Sequence, residues 1–219
     1  MTWHKRRLFA MELTKYGHAC VRLEKDGKVL VIDPGSFTRD PVLDGADAVL
    51  ITHEHFDHVD VAKLRESSPG LEVFTCEGVA AQLSEVPAKV QVVRDGDAFE
   101  TAGFRVRVFG ERHAPNHPDM EIVQNVGFLV DDEVFYPGDA LTVPPAEVPT
   151  LLVPTGGPWL RLAEMVNYLR TVRPARAYST HDALYSDIGL ALVDGWLKME
   201  ADKQGADIRR LAVGESVTL

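Results

Sequence analysis

The chain has 219 residues, of which 45% are hydrophobic and 26% are charged, and its formal net charge is −10 at pH 7. This length and composition are typical of one globular domain with a sizeable core. The acidic balance disfavours phosphate backbones, and no apolar run approaches the ~20 residues of a membrane span. We therefore expect neither nucleic acid nor a membrane as a partner. The two cysteines, Cys20 and Cys76, make no disulfide framework, which favours a cytoplasmic location.

The N-terminal segment carries a basic run, His4 to Arg7, without the apolar core of a signal peptide. We expect residues 1–10 to be a disordered arm or a start-site extension, and residues 11–219 to form one domain. The spacing of apolar residues then predicts short strands over 12–16, 19–24, 28–33 and 48–52. Asp26-Gly27, between the second and third of these strands, is a hairpin signal.

The later elements follow from apolar periodicity and turn residues. They are a helix over 59–66, a strand over 72–75, a helix over 78–85, and strands over 90–94, 104–109, 125–130 and 133–136. Strand and helix then alternate, with strands over 150–153, 175–179 and 208–211, helices over 159–172 and 188–203, and a closing strand around Val217. Strands grouped early and strand–helix units later predict two packed sheets with helices outside, an α/β (α+β) architecture.

A cluster of potential metal ligands, His53 to His58 with the sequence HEHFDH, directly follows the apolar run 48–52. Imidazole nitrogen and carboxylate oxygen together suit zinc, iron or manganese. Alternate side chains of an extended segment share a face, so His53 and His55 can hold one ion together. Asp57 and His58 fall at a turn and can point to a second ion, although Asp57 can also cap the following helix. A polar loop with solvated histidines is the alternative interpretation.

Single potential ligands follow three later strands: His113 after 104–109, Asp139 after 133–136 and His181 after 175–179. Each one alone has an ordinary interpretation as a surface histidine or a turn carboxylate. Ligands at strand ends are held by rigid elements, which a preorganised metal site requires. Their order behind the HEHFDH run therefore predicts one metal site built from several strand ends.

From Met11 onward the chain resembles the metallo-β-lactamase superfamily, in its H-x-H-x-D-H motif and in the order of the trailing His, Asp and His. The resemblance implies an αββα four-layer sandwich with two divalent metal ions along one edge. Zn²⁺ is the preferred metal, and Mn²⁺ and Fe²⁺ are the other options. It implies that the first metal is held by His53, His55 and His113. It implies that the second is held by Asp57, His58 and His181, with Asp139 as the bridge. Asp33 would match the carboxylate that fixes a ligand histidine, and a plain turn carboxylate before Pro34 is an equal alternative.

Other features resemble the ascorbate-phosphate-lactonase-like branch, among them Gly17-His18-Ala19 and the closing segment 213–217. In this interpretation His18 binds an anionic substrate group or acts as an acid; otherwise it is a turn residue. Two histidines compete for the third ligand position. His113 is preferred because it lies nearer the strand end, and His117 becomes a substrate contact or a loop residue. Trp159, after a Gly-Gly-Pro loop, is either a core residue or part of the substrate pocket.

Together these features predict a dinuclear metal-dependent hydrolase, in which a metal-bridging hydroxide attacks a small anionic ester, lactone or phosphodiester. Asp57 would take a proton as the intermediate breaks down. The expected preference for an anion depends on the two cations together with His18 and Arg112. A diiron redox protein on the same fold and a metal-binding protein without turnover are the alternatives. The sequence does not indicate an oligomeric state.

Overall fold

Residues 10–219, the part of the chain that the computed structural model describes, contain fourteen strands in two seven-stranded sheets. The expectation for residues 1–9 therefore lies outside the described residues. The first sheet has the order β14-β1-β2-β3-β4-β5-β6 and consists of β1 (Glu12–Lys15), β2 (Val21–Lys25), β3 (Lys28–Ile32), β4 (Ala48–Ile51), β5 (Glu72–Thr75), β6 (Lys89–Val92) and β14 (Ser216–Thr218). The second has the order β13-β12-β11-β10-β9-β8-β7 and consists of β7 (Ala98–Thr101), β8 (Phe104–Phe109), β9 (Gly127–Val130), β10 (Val134–Tyr136), β11 (Thr150–Pro154), β12 (Arg176–Thr180) and β13 (Asp207–Arg209).

Each sheet combines an antiparallel part with a parallel part. Strands β3 to β6 run parallel in the first sheet, and strands β10 to β13 run parallel in the second. The parallel strands β4 and β11 are buried along their whole length, as their continuous apolar sequences require. Because the carboxyl ends of parallel strands meet at one edge of a sheet, the loops that follow β3, β4, β10 and β12 collect side chains there.

The core shows the period of two that strands impose on side chains. Phe128 and Val130 of β9 belong to the main core cluster, which combines residues of both sheets. Leu129, between them, belongs to a second cluster that includes the helix residues Met165 and Leu197. The second sheet therefore packs the first sheet on one face and helices on the other.

Four helices complete the layers: α1 (Val61–Arg65), α2 (Glu77–Gln82), α3 (Leu162–Val172) and α4 (Asp187–Gln204). The first two join the core of the first sheet through Leu64 and Val79, and the last two cover the second sheet. The predicted αββα sandwich is confirmed. No helix within residues 10–219 is long and apolar enough to cross a bilayer.

Two local predictions were wrong. Asp57 does not cap α1, because Asp60 does so by accepting hydrogen bonds from the backbone N–H groups of Ala62 and Lys63. Strand β7 was not predicted. Its sequence AFET lacks a strong apolar pattern, and it lies at the sheet edge, where β8 is its partner.

Candidate metal centre

The predicted ligands converge at the carboxyl-terminal edge of both sheets. His53 lies two residues beyond β4, Asp139 lies three residues beyond β10, and His181 directly follows β12. His113 lies in the loop after β8, and the backbone N–H of Ala114 donates to the Asp139 carbonyl at 2.8 Å. Two sheets thus bring residues more than 120 positions apart to one place.

One group of ligand atoms comes from His53, His55, His113 and Asp139, and these atoms lie within 4.8 Å of one another. His53 Nε2 and His55 Nδ1 are 3.1 Å apart, and His113 Nε2 is 3.3 Å from Asp139 Oδ2. Two nitrogen ligands of a tetrahedral zinc ion lie ~3.4 Å apart when each bond is ~2.0–2.1 Å. The spacing of this group therefore suits one metal ion.

A second group surrounds the other side of Asp139. His58 Nε2 lies 3.2 Å from Asp139 Oδ1, and His181 Nε2 lies 2.9 Å from Asp139 Oδ2. Asp57 Oδ2 is 3.4 Å from His181 Nε2 and 3.9 Å from His58 Nε2. Asp139 belongs to both groups, which is the place that a bridging carboxylate would take.

A buried carboxylate fixes the orientation of His58. Asp33 is fully buried and accepts hydrogen bonds from the Thr52 N–H at 2.8 Å, the Thr52 hydroxyl at 2.7 Å and His58 Nδ1 at 2.6 Å. Because the Thr52 hydroxyl donates its only hydrogen to Asp33, its oxygen accepts a hydrogen bond from His53 Nδ1 at 3.0 Å. Both imidazoles therefore hold a proton on Nδ1 and aim Nε2 at the centre. Asp33 stands where the sequence predicted it, whereas the role of Thr52 was missed.

Asn125 and Gly138 hold Asp139 in place. The buried amide of Asn125 accepts from the Asp139 N–H at 3.0 Å and donates to the Pro137 carbonyl at 2.8 Å. Gly138 has φ +64°, and a Cβ there would lie 2.4 Å from Asn125 Oδ1. Only glycine fits both the left-handed conformation and this close approach. The sequence predicted Asp139 as a ligand, with a simple turn as the alternative, and the role of Asn125 was missed.

The structure separates the two competing histidines. His113 is buried, and its Nδ1 donates to the Ala114 carbonyl, which leaves Nε2 for the centre. His117 has a side chain that is 61% exposed, and its Nδ1 accepts from the Asp119 N–H. His117 does not line the cavity described below, so its expected substrate contact finds no support in the geometry.

Buried polar atoms that lack a well-aligned hydrogen bond gather at the centre. Eight such side-chain atoms occur among the described residues, and six of them belong to the predicted site: His18 Nε2, His58 Nε2, His113 Nε2, Asp139 Oδ1, His181 Nδ1 and His181 Nε2. Such atoms are ordinarily satisfied by ordered water or by a bound ion. Nitrogen and carboxylate oxygen donors at these distances fit divalent cations.

Electrostatics also favour a cation here. Burial lowers the pKa of His53 well below its ordinary value, which keeps this imidazole neutral. Burial acts to lower the pKa of His58, but Asp139 and Asp33 raise it well above its ordinary value. Burial acts to raise the pKa of Asp139, but the imidazoles of His58, His113 and His181 hold it well below its usual range. The carboxylates thus draw a proton onto His58 in the place where a metal ion would supply positive charge.

His18 contacts a ligand rather than open space. Its Nδ1 accepts from the Ala183 N–H at 3.0 Å, so Nε2 carries the proton and faces Asp57 Oδ2 at 3.2 Å. Burial lowers the pKa of His18, so the side chain is neutral. Its carbonyl accepts from the His181 N–H at 2.7 Å, which secures His181 at φ +60°. His18 is buried and does not line the cavity, so the predicted substrate contact finds no support in this geometry.

A cavity of about 470 Å³ opens onto the centre. It is lined by Phe37, His55, Phe56, Asp57, His113, Asn116, Met120, Asp139, Pro158, Trp159, His181 and Leu184. The indole N–H of Trp159 donates to Asp139 Oδ2 at 2.9 Å, so this side chain both holds a predicted ligand and forms cavity wall. Arg112, expected near the site, is exposed and outside the lining.

The family of the chain follows from comparison with known proteins. The family model described as the beta-lactamase superfamily domain matches residues 12–181 of the 219. The chain belongs to the beta-lactamase superfamily. The superfamily resemblance seen in the sequence is thereby confirmed.

Similar proteins cover most of the chain. Protein Rv0786c of Mycobacterium tuberculosis is 39% identical over 80% of this chain and 85% of that protein. A UPF0173 metal-dependent hydrolase of Salinibacter ruber is 30% identical over 95% of this chain and all of that protein. The structure of Igni18, a metallo hydrolase from Ignicoccus hospitalis, has a TM-score of 0.74 at 19% identity and covers 96% of this chain and 98% of that one. At that identity the structural likeness shows the superfamily fold alone.

Proposed function

We propose that this protein is a metal-dependent hydrolase with a dinuclear centre. The observation that carries the proposal is the convergence of all seven predicted ligands in one place, with five of them lining a single cavity. Two of the similar proteins are named metal-dependent or metallo hydrolases, which supports the same activity class. Zn²⁺ is the first expectation, with Mn²⁺ or Fe²⁺ as the other options.

In this proposal each of the two groups of side chains binds one metal ion. His53, His55 and His113 hold the first, Asp57, His58 and His181 hold the second, and Asp139 serves both. Bound divalent cations lower the pKa of coordinated water and stabilise negative charge that develops on the substrate.

Asp57 is the proposed proton carrier. It is, with Asp139, one of two carboxylates in the cavity wall, and it is the one at the edge of the centre. Burial acts to raise the pKa of Asp57, but His18 and His181 hold it well below its usual range, so the carboxylate is ionised. In this proposal Asp57 accepts a proton from water and passes it to the leaving oxygen. His18 acts through Asp57: its Nε2–H fixes the carboxylate, which makes it a positioning residue.

The proposed scissile group is an ester, lactone or phosphodiester. Negative charge, present in a phosphodiester and developing in an ester or lactone, would fall on the metals. Because Arg112 lies outside the cavity and His18 is neutral, neither of these two residues supplies a second cationic site for an anion. A resemblance to the ascorbate-phosphate-lactonase-like branch is compatible with this set.

Metal analysis and turnover together test the proposal. Protein purified without chelators should contain two metal ions per chain and hydrolyse members of a panel with an aryl phosphodiester, a lactone and a carboxylic ester. Chelation should abolish turnover, and added Zn²⁺ or Mn²⁺ should restore it. A stoichiometry near zero with no uptake of added metal would refute the dinuclear centre. A ferric absorption band, together with no hydrolysis, would favour the diiron redox alternative instead.

A further inference from the structure

Apolar side chains gather around the opening of the candidate metal centre. Phe37 is 42% exposed, Phe56 64%, Met120 57% and Leu184 54%. Twelve large hydrophobic side chains of the described residues are exposed, and these four line the same cavity. Scattered exposed apolar residues need no explanation, whereas a group at one opening indicates a binding surface.

These four side chains come from separate loops that the fold holds together. The rings of Phe37 and Phe56 meet edge to face with centroids 5.5 Å apart, and the ring of Phe37 lies 5.6 Å from that of His18. The Ser36 N–H donates to the Phe56 carbonyl at 2.9 Å, which locks the two loops. Phe56 also stands inside the HEHFDH run, between two predicted ligands, so its place relative to the centre is fixed.

Within residues 10–219, the cavity wall contains no Lys or Arg. Its five ionisable residues all belong to the candidate metal centre. A second anionic group on a substrate would therefore meet apolar carbon and lose hydration without a partner. An apolar group in the same place would gain ~25 cal/mol for each Å² that it buries.

We propose that the substrate carries an uncharged aryl or branched alkyl group next to its scissile bond, and that this group lies against Phe37, Phe56, Met120 and Leu184. This inference rests on the proposed hydrolase function and narrows its substrate class. It replaces the expectation of a compact, wholly anionic substrate by one in which any charge is confined to the scissile group.

The binding test uses two metal-chelating probes that differ only in the apolar part. Zinc-loaded protein is titrated calorimetrically with acetohydroxamate and with phenylacetohydroxamate. The phenyl probe should bind at least ~10-fold more tightly, and Phe56→Ser should reduce that ratio severalfold. The exposed Leu192 on α4 supplies the control, because Leu192→Ser should leave the ratio unchanged.

Further measurements keep this test decisive. Metal content and thermal unfolding are checked in each variant, and if Phe56→Ser loses metal, Met120→Ser and Leu184→Ser take its place, with the same expected loss. Equal affinities of the two probes for the wild-type protein, no binding of either, or a ratio that survives all three substitutions would overturn the inference.

Turnover separates this inference from the proposed function. Methyl acetate and methyl phenylacetate share a leaving group, and proton release reports their hydrolysis. Faster turnover of methyl phenylacetate supports both proposals. Turnover of neither ester, nor of the lactone and phosphodiester panel, would refute the hydrolase function while the hydroxamate ratio still decides the apolar site. Equal turnover with equal hydroxamate affinities would leave the hydrolase in place and refute the apolar site.

Discussion

Replacement of Asp33 by Asn tests whether a buried carboxylate controls the second metal position. The side chain is fully buried and accepts three hydrogen bonds, two from Thr52 and one from His58 Nδ1. The residue has φ +49°, a conformation that Asn tolerates well, so the backbone should be unaffected. The change therefore removes a charge and one acceptor at nearly constant shape.

Neither orientation of the new amide satisfies all three donors. If the amide oxygen faces the Thr52 N–H, the NH₂ group donates to His58 Nδ1 and forces the proton onto Nε2, the atom that would bind the metal. If the amide is flipped, its NH₂ group faces the Thr52 N–H and leaves a buried donor unpaired, which costs ~1–3 kcal/mol. Loss of such a supporting carboxylate weakens metal affinity ~10–100-fold, or about 1.4–2.8 kcal/mol.

The assay is competition with a chromophoric chelator, which resolves two binding steps. We expect Asp33→Asn to weaken the step that depends on His58 ~10–100-fold and to weaken the other step less, because Asp33 reaches His53 only through the Thr52 hydroxyl. Asp47→Asn is the matched control, since Asp47 also accepts from a backbone N–H, that of Val29 at 2.9 Å. If Asp33→Asn binds both metal ions with the affinities of the wild-type protein, Asp33 does not orient His58 for metal binding.

Three further predictions concern ligand choice, metal and a buried ion pair. His113→Ala should lose the first metal and His117→Ala should keep both, as measured by elemental analysis; the opposite pattern would reverse the assignment. Chelation should lower Tm by about 5–10 °C, because saturation at 100 times Kd stabilises by ~2.7 kcal/mol, and unchanged Tm would contradict a structural contribution of the metals. Lys15→Met should cost ~3–5 kcal/mol in urea unfolding, since it leaves the buried carboxylate of Asp182 unpaired. Lys198 forms an exposed ion pair, so Lys198→Met should change the free energy of unfolding by less than ~0.5 kcal/mol. Equal effects of the two substitutions would show that burial of the Lys15–Asp182 pair adds nothing to its contribution to stability.

Much of the fold could be predicted because local patterns agree with it. Strand β8, with the sequence FRVRVF, alternates apolar and polar residues and was predicted at its observed bounds. Helix α4 was predicted to within one residue at each end, and the structure shows Ser186 as its N-cap and Gly205 as its C-cap. Strand β7 escaped prediction, because an edge strand that buries little carries no strong pattern.

The ligand set could be predicted from spacing, but the parts that support it could not. The HEHFDH run can be recognised as a metal-binding segment because three histidines and an aspartate so close together have no common structural role in a turn. Thr52 and Asn125 are ordinary polar residues, and only hydrogen bonds to Asp33 and Asp139 give them a role. His18 was placed near the site but with the wrong contact, since the direction of a loop side chain depends on its neighbours.

The sequence by itself determined two packed sheets with helices outside and seven potential ligands, because strand periodicity and donor chemistry are properties of short segments. The αββα sandwich itself was implied by the superfamily resemblance. Only the tertiary structure decided that His113 rather than His117 faces the centre, since burial separates two otherwise similar loop histidines. It also decided the protonated nitrogen of His58, which depends on Asp33, a partner distant in sequence. The apolar cavity wall is the extreme case: Phe37, Met120 and Leu184 share no pattern along the chain, and the packing of the two sheets alone brings their loops together.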